Sequence, residues 1–307
     1  MSFEGHKKAY QAMELYCKEV AVNDPLASSI EQTPNGEFKL AFYVHESFYG
    51  GLIGSKGSTK HSIQENTKTQ IYFPRSNEEP NEVIIRAKHR NQVCDALGCI
   101  RFRMISMRRK MSRTHILAVA LNFGEVQERY VELKKCILEA QLPGIHEGLF
   151  ISKYCLHYTI GVFVLLDEKE RQKALKVLDS CRSQLADLKT PFEMKVKGLV
   201  TNDNPSLTRV LHGCIESPDL KKFADRCNAL YENAGLSLLG TCNMRMKIMN
   251  IRFREEATNK DTFDASEIVE RFGNFDFGTA ICQEVHLCEL GSRGEDKFYN
   301  ICRSLQI

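Results

Sequence analysis

The sequence lacks the features that mark membrane, secreted and metal-dependent proteins. The N-terminal MSFEGHKKAY has no apolar signal core, and no stretch approaches the roughly 18 uninterrupted apolar residues of a membrane span. Twelve cysteines include no C-x-x-C pair and lie mostly in apolar runs, which is typical of buried free thiols in a reducing compartment. No His, Cys, Asp or Glu cluster has metal-ligand spacing. We therefore expect a soluble intracellular protein with no membrane segment and no cofactor.

The sequence also lacks a large excess of either charge, since it has 42 basic and 39 acidic residues and a formal net charge of +3. This excludes a histone-like polycation, but it permits a local basic patch, because nucleic-acid binding depends on where the charge lies. Apolar residues make up 43% of the chain, which is enough for a sizeable core and excludes wholesale disorder. The length of 307 residues predicts two domains.

The first third of the chain alternates short strands and helices. Residues 1–36 are predicted to be an extension with a helix at about 7–22, which ends in a Pro-Asn-Gly turn. Residues 37–112 then predict a domain with the order β-α-α-β-β-α. Its elements are expected at 38–44, 47–53, 58–66, 69–73, 82–87 and 90–110.

A glycine loop, Gly54-Ser55-Lys56-Gly57, joins the first two helices of that domain. Glycine lets the backbone approach a sugar-phosphate chain closely, while Lys56 and the amides that open the next helix supply positive charge. Such a loop between two helices is how K-homology (KH) modules hold about four nucleotides. We predict that these four residues bind single-stranded RNA or DNA, with Ile53, Ile63 and Ile71 forming the core and the groove floor. A P-loop is excluded, because no G-x-x-x-x-G-K-[ST] pattern can be written here.

A basic run follows near the end of this domain, within thirteen residues that contain no acid. Its members are Arg101, Arg103, Arg108, Arg109, Lys110 and Arg113. They form either a solvated helix end, where cations are favoured, or an extension of the nucleic-acid surface.

Residues 113–307 predict a larger α+β domain in which strands and helices alternate. Strands are expected at 116–121, 156–166, 192–200, 209–215, 243–253 and 281–290, and helices at 125–140, 168–188, 218–234 and 265–271. In the second of these strands, alternation places His157 and Thr159 on one face. A histidine and a hydroxyl at this spacing can hold a phosphate oxygen and move a proton, although an isolated H-x-T triplet is most often structural.

Together, the glycine loop, the His157-Tyr158-Thr159 triplet and Met249-Asn250 resemble one family. It is that of activating signal cointegrator 1 complex subunit 1, in which a KH domain precedes an AKAP7-like 2H phosphoesterase domain. The resemblance runs from about Phe38 to Leu290 and includes an aromatic-glycine stretch at 275–279. It implies a type I KH domain followed by a two-lobed 2H phosphoesterase-like α+β domain.

The resemblance also implies a metal-free mechanism, in which two H-x-[TS] motifs face each other and their histidines serve as base and acid. Alignment on Met249-Asn250 puts Arg245 at the second histidine and Lys247 at the second hydroxyl. Arginine stays protonated at physiological pH, so we expect the two-histidine route to be lost or impaired. Arg245 and Lys247 share a strand face and could instead bind phosphate; the alternative is neutral drift of a dead site.

The other histidines show weaker sequence evidence for a catalytic role. His286-Leu287-Cys288 echoes an H-x-[TS] triplet and could supply a displaced proton donor, but a structural histidine is the better interpretation. His115, His146 and His212 have no partner at useful spacing and are interpreted as surface or core residues.

Three functions are compatible with these patterns. The first is a binding protein. By resemblance it is an accessory subunit of the activating signal cointegrator complex, located in the nucleus or in both nucleus and cytoplasm. Its partners are then the helicase and the other subunits of that complex. That complex is associated with transcriptional co-activation and alkylation-damage repair. The second is a metal-independent phosphodiesterase acting on RNA ends or cyclic phosphates. The third is a scaffold whose second domain binds only protein.

Overall fold

The computed structural model describes residues 24–75, 82–202, 204–236, 243–253, 258, 261–295 and 297–307. The chain forms two compact units, Met1–Ser112 with Glu232–Leu238, and Arg113–Tyr231 with Leu239–Ile307. The helix expected at about 7–22 lies outside the described residues. Within the described ranges, no helix has both the length and the apolar character needed to cross a bilayer.

The first unit packs helices on a small antiparallel sheet. Its strands are β1 (Glu31–Gln32), β2 (Phe38–Tyr43), β3 (Gln70–Tyr72) and β4 (Glu82–Ala87), and its helices are α1 (Tyr49–Ile53), α2 (Ser58–Thr67) and α3 (Arg90–Arg108). The sheet order is β1-β2-β4-β3, with Ile85 of β4 paired with Leu40 on one side and Ile71 on the other. From β2 to α3 the order β-α-α-β-β-α is the one predicted for a type I KH domain.

Periodic apolar residues explain why these elements form. Leu40 and Phe42 in β2, and Val83 and Ile85 in β4, point to one face of the sheet and are buried. The core stripe of α3 recurs at helical spacing, with side chains that are 0% exposed: Val93, Ala96, Leu97 and Ile100. Each large side chain of this core contributes about 1.5–3 kcal/mol through its burial.

The basic run at the end of α3 is divided between structural and exposed side chains. Arg101 Nε lies 2.8 Å from Asp24 Oδ2, and both side chains are largely buried. The guanidinium of Arg108, which is 3% exposed, lies 4.9 Å from the centre of the Phe48 ring. Arg109 and Lys110 are exposed, as is Arg113. Arg101 and Arg108 therefore fit neither predicted alternative: they belong neither to a solvated helix end nor to a nucleic-acid surface.

We predict that Arg101→Ala lowers the free energy of unfolding of the first unit by about 3 kcal/mol, because it leaves the buried Asp24 carboxylate unpaired. Lys110→Ala is the matched control and should change it by less than about 0.5 kcal/mol, because Lys110 is exposed. Urea denaturation of both variants measures this difference. Equal stabilities would show that the Arg101–Asp24 pair has no structural importance.

The second unit contains a large curled sheet with helices packed against it. Its strands are β5 (His115–Ala120), β6 (His157–Phe163), β7 (Phe192–Thr201), β8 (Val210–Glu216), β9 (Arg245–Asn250), β10 (Asp276–Cys282), β11 (Glu284–Arg293) and β12 (Tyr299–Gln306). Its helices are α4 (Gly124–Glu139), α5 (Glu168–Cys181), α6 (Pro218–Asn233) and α7 (Ser266–Phe272). The strand order is β10-β7-β8-β9-β6-β5-β11-β12, so β6 and β9 form the central pair with three strands on each side.

The single final strand predicted at 281–290 is wrong. The chain forms β10 and β11 there, separated by Gln283, and they pair with β7 and β5 on opposite sides of the sheet. Because the sheet is curled, one extended run of the chain pairs first with β7 and then with β5. Local alternation of side chains cannot show this change of pairing partner. The last strand, β12, was not predicted, because as an edge strand it is mostly exposed and shows no clean alternation.

Candidate nucleic-acid interface and phosphate groove

The glycine loop of the first unit has a backbone that requires glycine at position 54. Gly54 has φ 75° and ψ 172°, a conformation essentially restricted to glycine. A Cβ at this position would also lie 2.8 Å from the backbone nitrogen of Thr59, closer than such atoms approach. The backbone of the loop is therefore held tightly against the start of α2.

At Gly57 the loop is open instead of crowded. Its φ of 79° favours glycine, yet a Cβ there would meet no atom within 4 Å. Gly57 is the N-cap of α2, and its lack of a side chain means that no side-chain oxygen caps the amides of the first turn. Between the two glycines, Lys56 adopts φ 50° and is exposed. Open space, helix-terminal amides and an ammonium therefore coincide, which is the combination that favours a phosphate.

The three isoleucines predicted to form the core and groove floor differ in exposure. Ile63 and Ile71 are 4% and 1% exposed, so they belong to the core. Ile53, at the end of α1 beside the loop, is half-buried and keeps some accessible apolar surface. Of the three, Ile53 is the one available to contact a base.

In the second unit, the two triplets singled out in the sequence lie side by side on the central strands. β6 and β9 are antiparallel, with Tyr158 paired with Met246. Residues on either side of such a pair are also neighbours, so His157 lies next to Lys247, and Thr159 next to Arg245. Tyr158 and Met246 are buried on the opposite face. The structure thus brings all four predicted residues together on one face, which we call the groove face.

His157 is held as a neutral base. Its Nδ1 lies 2.7 Å from the carbonyl oxygen of Cys155, so Nδ1–H donates to that oxygen and the proton is absent from Nε2. Burial lowers the pKa of His157 to about 4; the Cys155 hydrogen bond opposes this shift, and Lys247 and Arg293 add to it. At neutral pH, Nε2 therefore carries a lone pair that can accept a proton.

Cations surround His157 on the groove face. Burial lowers the pKa of the Lys247 ammonium, and the charges of Arg113 and Arg252 lower it further. Arg245 donates a hydrogen bond through Nη1 to the side-chain oxygen of Asn202, which fixes its guanidinium. A groove in which like charges are held close together gains electrostatic stability when an anion binds.

One residue of the groove face was missed. His212 on β8 pairs with Lys247, and burial lowers its pKa to about 4, with smaller effects from Lys247 and Arg245. Its Nδ1 is buried and has no hydrogen-bond partner among the described residues. Spacing could not reveal it, because His212 follows no triplet pattern and meets Lys247 only through the sheet.

The environments of the other candidate histidines differ. His286 Nδ1 lies 2.8 Å from Ser304 Oγ, and the Phe298 ring lies 6.4 Å from the rings of both His286 and His157. These contacts favour the interpretation of His286 as structural. His115 is buried with Nδ1 2.8 Å from Thr114 Oγ1, and His146 is exposed. Among the described residues, no group of three or more His, Cys, Asp and Glu side chains could hold a metal ion.

We predict that Lys247→Met raises the pKa of both His157 and His212, because the Lys247 charge lowers both. Both values should stay below that of an exposed histidine, because burial is the larger cause. NMR titration of the histidine ring protons measures them, with Lys189→Met, an exposed site, as the matched control. Unchanged titration in Lys247→Met would show that these three side chains do not share the groove face.

Comparison with family models divides the chain in two. The KH domain model matches residues 39–101, and the model described as the AKAP7 2′5′ RNA ligase-like domain matches residues 113–307. Among curated proteins, activating signal cointegrator 1 complex subunit 1 of Mus musculus is 28% identical over 292 residues, covering 86% of this chain and 82% of the mouse protein. These matches confirm the predicted resemblance and the predicted fold class.

Two solved structures overlap with the chain more weakly. A protein of Thermus thermophilus is 16% identical with a TM-score of 0.46, covering 63% of this chain and 97% of its own. A structure described as a phosphoesterase is 11% identical with a TM-score of 0.39, covering 64% of this chain and 99% of its own.

Proposed function

Because the chain belongs to the AKAP7 2′5′ RNA ligase-like domain family and also carries a KH domain, we propose that it is a single-stranded RNA-binding accessory subunit. The name of the mouse relative supports assembly into an activating signal cointegrator 1 complex. The proposal includes the helicase and the other subunits of that complex as partners. Within this proposal the complex is nuclear and serves transcriptional co-activation and alkylation-damage repair.

The observation that carries RNA binding is the geometry of the glycine loop. Gly54 holds the backbone close to α2, whereas Gly57 leaves open space in front of the uncapped helix terminus. A phosphate can therefore reach the amides and the Lys56 ammonium without displacing a side chain. KH modules bind single strands by this contact, which is why unpaired RNA is the proposed ligand.

Replacement of Gly57 tests this directly. Gly57→Asp puts a carboxylate in the open space where the phosphate would lie, and we expect affinity for a short single-stranded RNA to fall at least about tenfold, or roughly 1.4 kcal/mol. Fluorescence anisotropy at two salt concentrations measures it, and wild-type affinity should fall as salt rises.

Gly36→Asp is the matched control for this substitution. Gly36 has a similar φ of 84° and equally open space, so it carries the same backbone strain and the same added charge, away from the loop. Its affinity should equal that of wild type. Equal affinities for all three proteins, or no salt-sensitive binding by wild type, would contradict RNA binding by this loop.

We further propose that the groove face of the second unit binds a phosphate group, such as that of an RNA end. Arg245 and Lys247 supply charge, while Thr159 and His157 offer polar contacts from the neighbouring strand. Because Arg245 occupies the second histidine position and does not exchange protons, the two-triplet mechanism is not expected to operate. The alternative of neutral drift predicts no specific anion binding.

Arg245→Ala is expected to weaken binding of inorganic phosphate and of a 3′-phosphorylated oligonucleotide by about tenfold or more, because it removes a charged hydrogen-bond donor. Isothermal titration calorimetry measures both affinities. Arg182→Ala, at an exposed position, is the matched control and should bind as wild type does. If Arg245→Ala binds both ligands as tightly as wild type, the groove is not an anion site.

A further inference from the structure

Three basic side chains form a row across three adjacent strands of the groove face. His157 on β6 lies next to Lys247 on β9, and Lys247 pairs with His212 on β8. Paired residues in antiparallel strands point to the same face, and neighbouring strands lie about 4.8 Å apart. Two histidines therefore flank one ammonium, at a separation on the order of 10 Å between their backbones.

The burial pattern of β8 places His212 on the groove face. His212 and Cys214 are half-buried, whereas Leu211, Gly213 and Ile215 between and beside them are buried. A Cβ on Gly213 would meet Met246 and Ile248, which belong to the opposite, core face. His212 also lies close enough to Lys247 and Arg245 for both charges to act on it.

We propose that His212 is the proton-transfer partner of His157, and that the two histidines with Lys247 between them cleave phosphodiesters. This deepens the proposed anion site and rests on it. The second histidine of the usual pair is then replaced by one from the next strand, while Lys247 and Arg245 bind the phosphoryl oxygens. A cyclic 2′,3′-phosphodiester is a suitable substrate, because its two ester oxygens lie on one ribose.

Water is the nucleophile in the proposed hydrolysis. His157 Nε2 takes a proton from water while the water oxygen forms a bond to phosphorus. The bond between phosphorus and one ribose oxygen breaks, and protonated His212 gives its proton to that oxygen. The product is a phosphomonoester, and proton exchange with solvent returns both histidines to their starting states.

The charges near His212 determine when it can carry that proton. The charges acting on it come from β9, namely Lys247 and Arg245, and its partner on β7 is the uncharged Val200. Lys247 and Arg293 act on His157, and Arg113 and Arg252 act on Lys247, so all of these charges are positive. A bound phosphate offsets them, which favours protonation of His212 in the complex.

The test compares turnover of 2′,3′-cyclic AMP, and of an RNA with a 2′,3′-cyclic end, by the full chain and its variants. Wild type should hydrolyse both, while His212→Gln and His157→Gln should each lose about 10²–10⁴-fold in kcat. The double variant should lose little more than either single one, because the pair acts as a unit. His146→Gln, an exposed histidine, is the matched control.

A pH profile of wild type gives a second measurement that does not depend on any variant folding. His212 must be protonated and its pKa in the free protein is about 4. Above that value the protonated fraction falls tenfold per pH unit, so kcat/KM should rise about tenfold per unit as pH is lowered from 8 to 5. A flat profile would overturn the assignment.

Failure of this inference is distinguishable from failure of the anion site. Phosphate binding without turnover by wild type, or full turnover by His212→Gln, overturns catalysis by His212 and leaves the binding site intact. Absence of phosphate binding by wild type, or equal phosphate affinity in wild type and Arg245→Ala, overturns both. Loss of turnover in His212→Gln with phosphate affinity retained supports proton transfer by His212.

Discussion

The site in the second unit depends on one backbone pairing, that of Tyr158 with Met246 in the middle of the curled sheet. These two residues are far apart in the sequence, yet their side chains are both buried in the core and set the register of the central strands. A slip of one residue would turn every neighbouring side chain to the other face. This register is therefore what makes His157, Thr159, Arg245 and Lys247 a single site.

Burial at this site has an electrostatic consequence. Desolvation favours the neutral forms of His157, His212 and Lys247, and the nearby charges are cations that act in the same direction. Such a cluster stores repulsion that an anion can relieve. The Arg245 guanidinium adds a permanent positive charge to this cluster and cannot transfer a proton at physiological pH.

The glycine loop of the first unit works by a different principle. Here the deciding property is the absence of side chains: a Cβ at Gly54 would lie too close to Thr59, and the absence of one at Gly57 leaves the helix terminus uncovered. The nearby basic run offers less exposed charge than its composition suggests, since Arg101 and Arg108 make contacts within the fold. The geometry of the loop is thus set by neighbouring residues, whereas the geometry of the groove face depends on long-range strand pairing.

This difference explains which features could be deduced from the amino-acid order and which could not. The glycine loop, the order β-α-α-β-β-α and the alternation around His157 are local patterns, and they were readable because a strand or helix period needs only neighbouring residues. Three features emerged only in the folded chain: His212 joins the groove, residues 276–293 form two strands, and Arg101 pairs with Asp24. These features depend on which distant segments meet, and periodicity within one strand carries no information about its partner.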